Sequence, residues 1–349
     1  VVGLGLIGSS VALGLGDLGW RVTGCDLVAE RAARALELGV VTAVGSDPEA
    51  ELVVVATPVG AIPDVVAAVL DASGRADVVV TDVGSVKGSV VDGIDSPRFV
   101  GGHPMAGSEQ EGPDGADRHL FTGANWVLTP TAITDPDAFA LVREVVLALG
   151  AEPIALPPER HDALVALVSH VPHLVAATLM TVAAEAGEEH AILLRLAAGG
   201  FRDMTRIAAG EPAMWPDVFT TNTAAILDAL DTVRDRLDAA REIVAGGDRA
   251  AILGLLEYAK TARRNLPGRL ARPEQYVECR IPLRDRPGEL AAVATILGEA
   301  GVNIGDFEVA HSVEGELGVL IVSIEREAAP VARAALVAHG YRPSLPVTP

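Results

Sequence analysis

The stretch Val1-Val2-Gly3-Leu4-Gly5-Leu6-Ile7-Gly8-Ser9-Ser10 decides how the first part of the chain is read. It sets G-x-G-x-x-G directly after two strand-forming residues and directly before the helical pattern Val11-Ala12-Leu13-Gly14-Leu15. At that spacing each glycine has a task. Gly3 permits a tight turn, Gly5 lets backbone approach a pyrophosphate, and Gly8 lets the helix pack close on the strand. The helix start, at Leu6 and Ile7, then turns free N–H groups toward the anion. Only Val1 and Val2 precede Gly3, so the first strand is expected to lack its start, and no secretory signal is visible.

Outward from this turn, the strand pattern Trp20-Arg21-Val22-Thr23-Gly24-Cys25 ends at Asp26, 18 positions after Gly8. A carboxylate there accepts both adenosine ribose hydroxyls and repels the extra phosphate of NADP, which favours NAD, although Arg31 on the next helix argues the other way. Strand patterns at 51–58 and 77–82 flank a helix expected over 62–70. Such short β-branched runs predict parallel strands covered by helices on both faces. Ligands meet these sheets at the carboxyl ends of the strands. Thr57 and Pro58 stand at one such end, Ser85 and Lys87 after another, where the nicotinamide half of the cofactor belongs. Ser85 and Lys87 fit equally a helix cap and a solvated lysine.

Composition narrows the alternatives. At ~150 residues per domain, 349 residues make two or three domains. A formal net charge of −20 repels phosphate backbones and anionic membranes, so no nucleic-acid partner is expected. Apolar residues make up 50% of the chain and mean hydropathy is +0.35. The apolar runs are nevertheless expected to be interrupted before the ~20 residues that span a bilayer, so no membrane partner is expected. Cys25 and Cys279 form neither a disulfide framework nor a metal cluster, which suits a reducing cytoplasm.

After the strand pattern Phe99-Val100 comes Gly101-Gly102-His103-Pro104-Met105-Ala106-Gly107-Ser108-Glu109-Gln110-Glu111-Gly112. With Gly84-Ser85-Val86-Lys87-Gly88, Ser169-His170-Val171-Pro172-His173 and Gly200-Phe201-Arg202-Asp203-Met204-Thr205-Arg206, this order resembles the prephenate and arogenate dehydrogenases of tyrosine biosynthesis. The resemblance covers residues 1 to about 270 and implies oxidation of a cyclohexadienol with loss of the ring carboxylate. It implies that His103 is the catalytic histidine, Ser85 its hydroxyl partner and Arg206 the carboxylate anchor. His170, His173 and Trp215 are placed around the pocket. The chemistry agrees for His103, since hydride leaves a carbinol carbon only as the hydroxyl proton is taken up, and a neutral imidazole is basic enough. His103 is expected in a loop after the strand.

His170 and His173 lie three apart on a helical pattern and share a face, a spacing that also suits a metal, but no third ligand is evident and no metal is expected. Trp215 fits a pocket wall or the core. Asp203, three before Arg206, is expected to brace it through a salt bridge or to form an ordinary surface pair. Helical spacing over 162–186, 190–198, 219–245 and 249–266 predicts an all-helical domain whose apolar stripes suggest a homodimer, as the resemblance also implies.

Pro267-Gly268-Arg269 and Arg272-Pro273 interrupt the helices, and a β-α-β-β-α-β order follows, closing with a short end strand. Its Asp285-Arg286-Pro287-Gly288-Glu289-Leu290 and Gly301-Val302-Asn303-Ile304 resemble the amino-acid-sensing ACT domain. Tyrosine, or another aromatic amino acid, is the expected allosteric effector, held near Asp285, Gly288, Asn303 and Ile304. The expected architecture is an α/β Rossmann-type dinucleotide-binding domain over 1–158, an all-helical domain over 159–270 and an α+β ferredoxin-like ACT domain over 273–349. The expected activity is NAD-dependent prephenate dehydrogenation. Its rivals are arogenate dehydrogenation, which an acidic group at Glu109, Glu111 or Asp114 would favour, and a non-catalytic aromatic amino-acid sensor.

Overall fold

The computed structural model describes the chain except residues 109, 190, 191, 266–274, 285, 312–316 and 346–349. Asp285, Glu109 and the expected breaks at 267–269 and 272–273 therefore lie outside the described residues. Contacts divide the chain into two units, Val1–Ala239 and Ala240–Pro349.

The first unit begins with the glycine turn and α1 (Leu6–Asp17), followed by β1 (Thr23–Gly24), α2 (Ala29–Glu37), β2 (Ala43–Val44), β3 (Leu52–Val55), α3 (Ile62–Ala72), β4 (Val79–Asp82), α4 (Gly88–Asp92), β5 (Phe99–Pro104), β6 (Asn125–Thr129), α5 (Pro136–Ala148) and β7 (Glu152–Ala155). Strands β3-β4-β5-β6-β7 hydrogen-bond in that order. Val2 bridges Cys25 on one side and Val55 on the other, both parallel, and so joins the β1-β2 pair to the larger sheet. Every residue of β4 is buried, as expected for a strand covered on both faces. The core around it gathers Leu4, Val11, Leu15, Val100, Phe121, Trp126 and Leu128. Where Pro136 opens α5, Asp135 accepts the N–H groups of Asp137 and Ala138, a cap joined to a proline suited to the first turn.

The strands expected over 51–58 and 77–82 pair parallel, as β3 with β4, and one expectation, the loop placement of His103, needs correction. Strand β5 pairs antiparallel with β6, while β3-β4, β4-β5 and β6-β7 are parallel. Among the described residues no crossover helix links β5 to β6, the connection holding a 3-10 turn at Pro113–Gly115, and a parallel return needs a crossover. Strand β5 also runs through Pro104, so His103 is a strand residue paired with Val127 rather than a loop residue.

The unit continues through α6 (Pro158–Val165), a π-helical turn (Ala166–His170), α7 (Val171–Glu189), α8 (Gly199–Thr205), α9 (Trp215–Thr221) and α10 (Thr223–Gly246), the last crossing into the second unit. The helix expected over 162–186 thus starts earlier and contains a π turn. Of the helix expected over 190–198, the described part holds a 3-10 turn at Leu193–Leu196. The helix expected over 219–245 breaks at Asn222. The run Pro158–Gly187, with hydropathy 1.8, is long and apolar enough to cross a membrane by those measures, contrary to the expected interruptions. Ser169, His170, Pro172 and His173 are the polar and breaking residues in its middle, and none carries a fixed charge. Ala166 and Val171 of this run pack with Ile226 and Ala229 of α10 in a small buried cluster.

The second unit holds α11 (Arg249–Arg264), β8 (Tyr276–Arg284), α12 (Glu289–Glu299), β9 (Ile304–His311), β10 (Leu317–Glu325) and α13 (Ala329–Ala338). Its antiparallel sheet has the order β8-β10-β9, and Ile281, Leu297, Leu320, Ile324 and Leu336 form the core beneath it. The expected end strand reduces, among the described residues, to one bridge between Arg280 and Ser344.

Candidate active site

At the first turn, backbone geometry makes a cradle. Gly3 has φ 93°, and a Cβ on it would come within 2.4 Å of the Ala56 carbonyl oxygen. A Cβ on Gly8 would stand 2.0 Å from the Gly3 carbonyl oxygen, whereas one on Gly5 would meet nothing within 4 Å. Gly3 and Gly8 are thus required by the fold, and Gly5 faces open space. Gly5 caps α1 with no side-chain hydrogen bond, and the first turn through Leu6 and Ile7 has no acidic residue, so its N–H groups suit an anion. Thr57 Oγ1, beside this turn, is buried without a hydrogen-bond partner among the described residues, and Pro58 follows it at the surface. An unpaired buried hydroxyl at a cradle for phosphate fits a bound dinucleotide.

Asp26 is anchored at the end of the second strand. Its Oδ2 accepts the Leu4 N–H at 2.8 Å, its Oδ1 accepts the Val28 N–H at 2.8 Å, and Arg31 Nη1 approaches at 3.3 Å. The Arg31 charge is therefore directed at the carboxylate.

The second cluster starts at the carboxyl end of β5. His103 is half-buried, and its Nδ1 lies 2.8 Å from His161 Nε2. His161 is 1% exposed and its Nδ1 lies 2.8 Å from Asp162 Oδ1. Asp162 also accepts the backbone N–H of Lys87 at 2.8 Å and of Gly88 at 2.7 Å. Below this row Lys87, fully buried, pairs with Asp82 and donates to the Gly102 carbonyl at 2.8 Å. Asp82 in turn accepts the N–H groups of Gly84 at 2.8 Å and Gly102 at 3.0 Å. Lys87 is thus not the solvated lysine that sequence allowed. A Cβ on Gly102 would come within 2.6 Å of the Asp82 carbonyl oxygen, which accounts for a glycine beside the histidine.

Burial, and after it the neighbouring His161, Lys87 and His170, push the His103 imidazole well below the ordinary histidine range. Burial likewise holds Lys87 below the usual lysine value, Asp82 opposing it. Burial raises Asp162, but His161 and the two backbone donors outweigh it and leave the carboxylate below its usual range.

Ser85 lies half-buried in the loop from β4 to α4, and its hydroxyl has no hydrogen-bond partner among the described residues. The structure gives His103 a partner in His161, not in Ser85. His170, at the end of the π turn, is buried; its Nδ1 meets Asn222 Nδ2 at 3.2 Å, and burial lowers it to about 4. His173 stacks on Trp215 with centroids 3.7 Å apart, and Trp215, partly buried beside Phe219, packs against the cluster that includes Val55, Val59 and Ile62. Trp215 is therefore both a core residue and a platform for a histidine.

Arg206 opens a 3-10 turn that packs on α7, exposed and with no ion pair among the described residues. Asp203 is exposed and makes no salt bridge to it, so neither the expected brace nor an ordinary pair is present; three residues on, the helix has tightened into that turn. Among the described residues no group of three His, Cys, Asp or Glu has metal-binding geometry. In the second unit Gly288, with φ 94°, caps α12, Asn303 is exposed before β9, and Ile304 opens that strand.

Sequence reasoning missed His161, Asp162, Asp82 and Asn222. The first two are adjacent in the chain near a helix start, where polar residues are ordinary, and nothing in their spacing from His103 marks the contact. Asn222 sits at the helix break it creates, its amide donating to the Asp162 carbonyl at 3.0 Å as well as meeting His170.

Three family models match in succession: "prephenate dehydrogenase, nucleotide-binding domain" over residues 11–155, "prephenate dehydrogenase, dimerization domain" over 157–260, and "ACT domain" over 278–336. A prephenate dehydrogenase of Bacillus subtilis (strain 168) is 34% identical over 341 residues, 94% of this chain and 92% of that protein. The crystal structure of the A. aeolicus prephenate dehydrogenase in complex with hydroxyphenyl propionate and NAD+ matches with a TM-score of 0.72 at 31% identity, covering 76% of this chain and 96% of that one. The Synechocystis arogenate dehydrogenase matches with a TM-score of 0.68 at 33% identity, over 75% of this chain and 97% of its own.

Proposed function

The chain belongs to the prephenate dehydrogenase family, and from that membership we propose that His103 is the base and Arg206 the carboxylate anchor of its reaction. The enzyme carries out the NAD-dependent oxidative decarboxylation of prephenate to 4-hydroxyphenylpyruvate and carbon dioxide. NAD, when bound, accepts the hydride from the ring carbon that bears the hydroxyl.

The observation that carries the residue assignment is the state of His103. One ring nitrogen is taken by His161, and burial keeps the imidazole uncharged at neutral pH, so the other nitrogen is free to accept a proton. As hydride departs, the hydroxyl proton moves to that nitrogen and a carbonyl forms. The electrons of the bond to the ring carboxylate then enter the ring, carbon dioxide leaves, and His103 returns its proton to the phenolate oxygen. Aromatisation supplies the driving force, and the chain's task is to hold the ring in register and keep water out. Arg206, with no ion pair among the described residues, offers a bidentate fork to a carboxylate, and Ser85 a hydroxyl unpaired among them. His170, His173 and Trp215 are assigned to the pocket wall. Gly3, Gly5, Leu6, Ile7, Gly8, Asp26, Thr57 and Pro58 are assigned to NAD.

Likeness to an arogenate dehydrogenase supports a second reading. Of the carboxylates that suit arogenate's ammonium, Asp114 is held by Arg34 at 2.6 Å, which disfavours it for that role. We assign the domains to 1–158, 159–270 and 273–349, a homodimer to the middle one, a tyrosine site to the last near Asp285, Gly288, Asn303 and Ile304, and the cytoplasm as the compartment.

Absorbance at 340 nm with prephenate or arogenate, NAD or NADP, and added tyrosine tests these assignments together. Prephenate with NAD is expected to be fastest and tyrosine to slow it. Faster turnover of arogenate would transfer the assignment to that substrate, no turnover of either would leave the sensor alone, and indifference to tyrosine would remove the effector.

A further inference from the structure

Resting on His103 as the base, we propose that His161 is a positioning residue that, with Asp162 behind it, fixes the tautomer in which His103 meets the substrate. The argument is one of donors and acceptors. Both oxygens of Asp162 already face N–H groups, Oδ1 that of Lys87 and Oδ2 that of Gly88, and an ionised carboxylate only accepts. The His161 nitrogen 2.8 Å from Oδ1 must therefore carry a hydrogen. In a neutral ring that places the lone pair on His161 Nε2. His103 Nδ1, 2.8 Å from that lone pair, must then be the nitrogen that bears hydrogen. The lone pair of His103 is left on Nε2, the nitrogen that His161 does not occupy, and a base must present a lone pair.

The charges facing His103 agree with this polarity. Burial and the Lys87 ammonium oppose a positive charge on it, while Asp82 is paired with Lys87. A charged His103 gains its relief through Nδ1–H donated along the row toward Asp162, the carboxylate at its far end. The reverse tautomer would set lone pair against lone pair at either His103–His161 or His161–Asp162, inside a site where an unmade hydrogen bond is costly. The two rings meet edge-on, at 75° with centroids 5.0 Å apart, so the contact is a hydrogen bond in the ring planes and not a stack.

The test uses the full-length enzyme with NAD and prephenate, in variants His161→Leu, His161→Gln and His103→Gln. Leucine removes the acceptor; glutamine can restore it through its carbonyl. His161→Leu is expected to lower kcat at least ~100-fold, the scale of lost acid–base catalysis, with KM for NAD within twofold of the parent. His161→Gln is expected to recover at least tenfold of that loss. Long-range proton–nitrogen correlation spectra of the parent are expected to show hydrogen on Nδ1 of His103 and to show it still in His161→Gln. Parent-like kcat in His161→Leu, hydrogen on Nε2 in the parent, or no recovery with glutamine would each overturn the proposal. Should His103→Gln itself turn over normally, the assignment of the base fails first; loss in His103→Gln beside normal His161→Leu removes only the inference about His161.

Discussion

The proposed role of His103 as the base rests on what surrounds it. Its folded value lies well below the ordinary histidine value, mainly through burial, so acid must go correspondingly lower before the ring charges. For a base the sign is simple, since activity is present where the ring is neutral and is lost as pH falls through the folded value. The kcat/KM of the free enzyme is therefore expected to stay level from neutral pH down through about 6.5, the usual histidine value, and to decline only below it. His103→Gln is expected to abolish that acid limb and to lower turnover by about 100-fold or more, with NAD affinity unchanged. A limb centred near the ordinary histidine value in the parent would contradict the burial argument. His103 was legible in sequence through its glycine-rich block. Its partner was not, because a contact between residues 58 apart leaves no periodic trace.

Among the elements, the glycine turn and α1 show how far a local pattern reaches. G-x-G-x-x-G before an apolar helical run specified the turn, the helix start and the cradle, since each follows from backbone sterics within a few residues. The same glycines separate fold from binding. Gly8→Ala is expected to lower thermal stability, because its Cβ would collide with the Gly3 carbonyl at 2.0 Å. Gly5→Ala meets no protein atom, and is expected to leave the melting temperature within about 2 °C while raising KM for NAD about tenfold, an effect of ~1.4 kcal/mol. Calorimetry and initial rates check both; equal loss of stability in the two variants would contradict the division. Less local features were illegible. The π turn at Ala166–His170 and the break at Asn222 satisfy tertiary hydrogen bonds, and the antiparallel β5-β6 pairing reflects a connection without a helix, so helical or strand periodicity alone passes over all three.

On the scale of the whole molecule, the order of a dinucleotide-binding sheet, a helical segment and an α+β sheet was readable because each has a different hydrophobic period. The uninterrupted length of the apolar run Pro158–Gly187 was not read in advance, nor that His161 and His170 within it are hydrogen-bonded and buried. The proposed chemistry needs two parts of the first unit together: β5 brings His103 and α6 brings His161 and Asp162 to it, and Arg206 is assigned from the 3-10 turn after α8. The most direct test is a crystal structure of the full-length enzyme with NAD+ and hydroxyphenyl propionate. The account predicts the phenol oxygen about 2.6–3.2 Å from His103 Nε2, with Nδ1 still on His161 and a carboxylate on Arg206. A phenol oxygen held by other groups, with His103 turned from the nicotinamide, would contradict it.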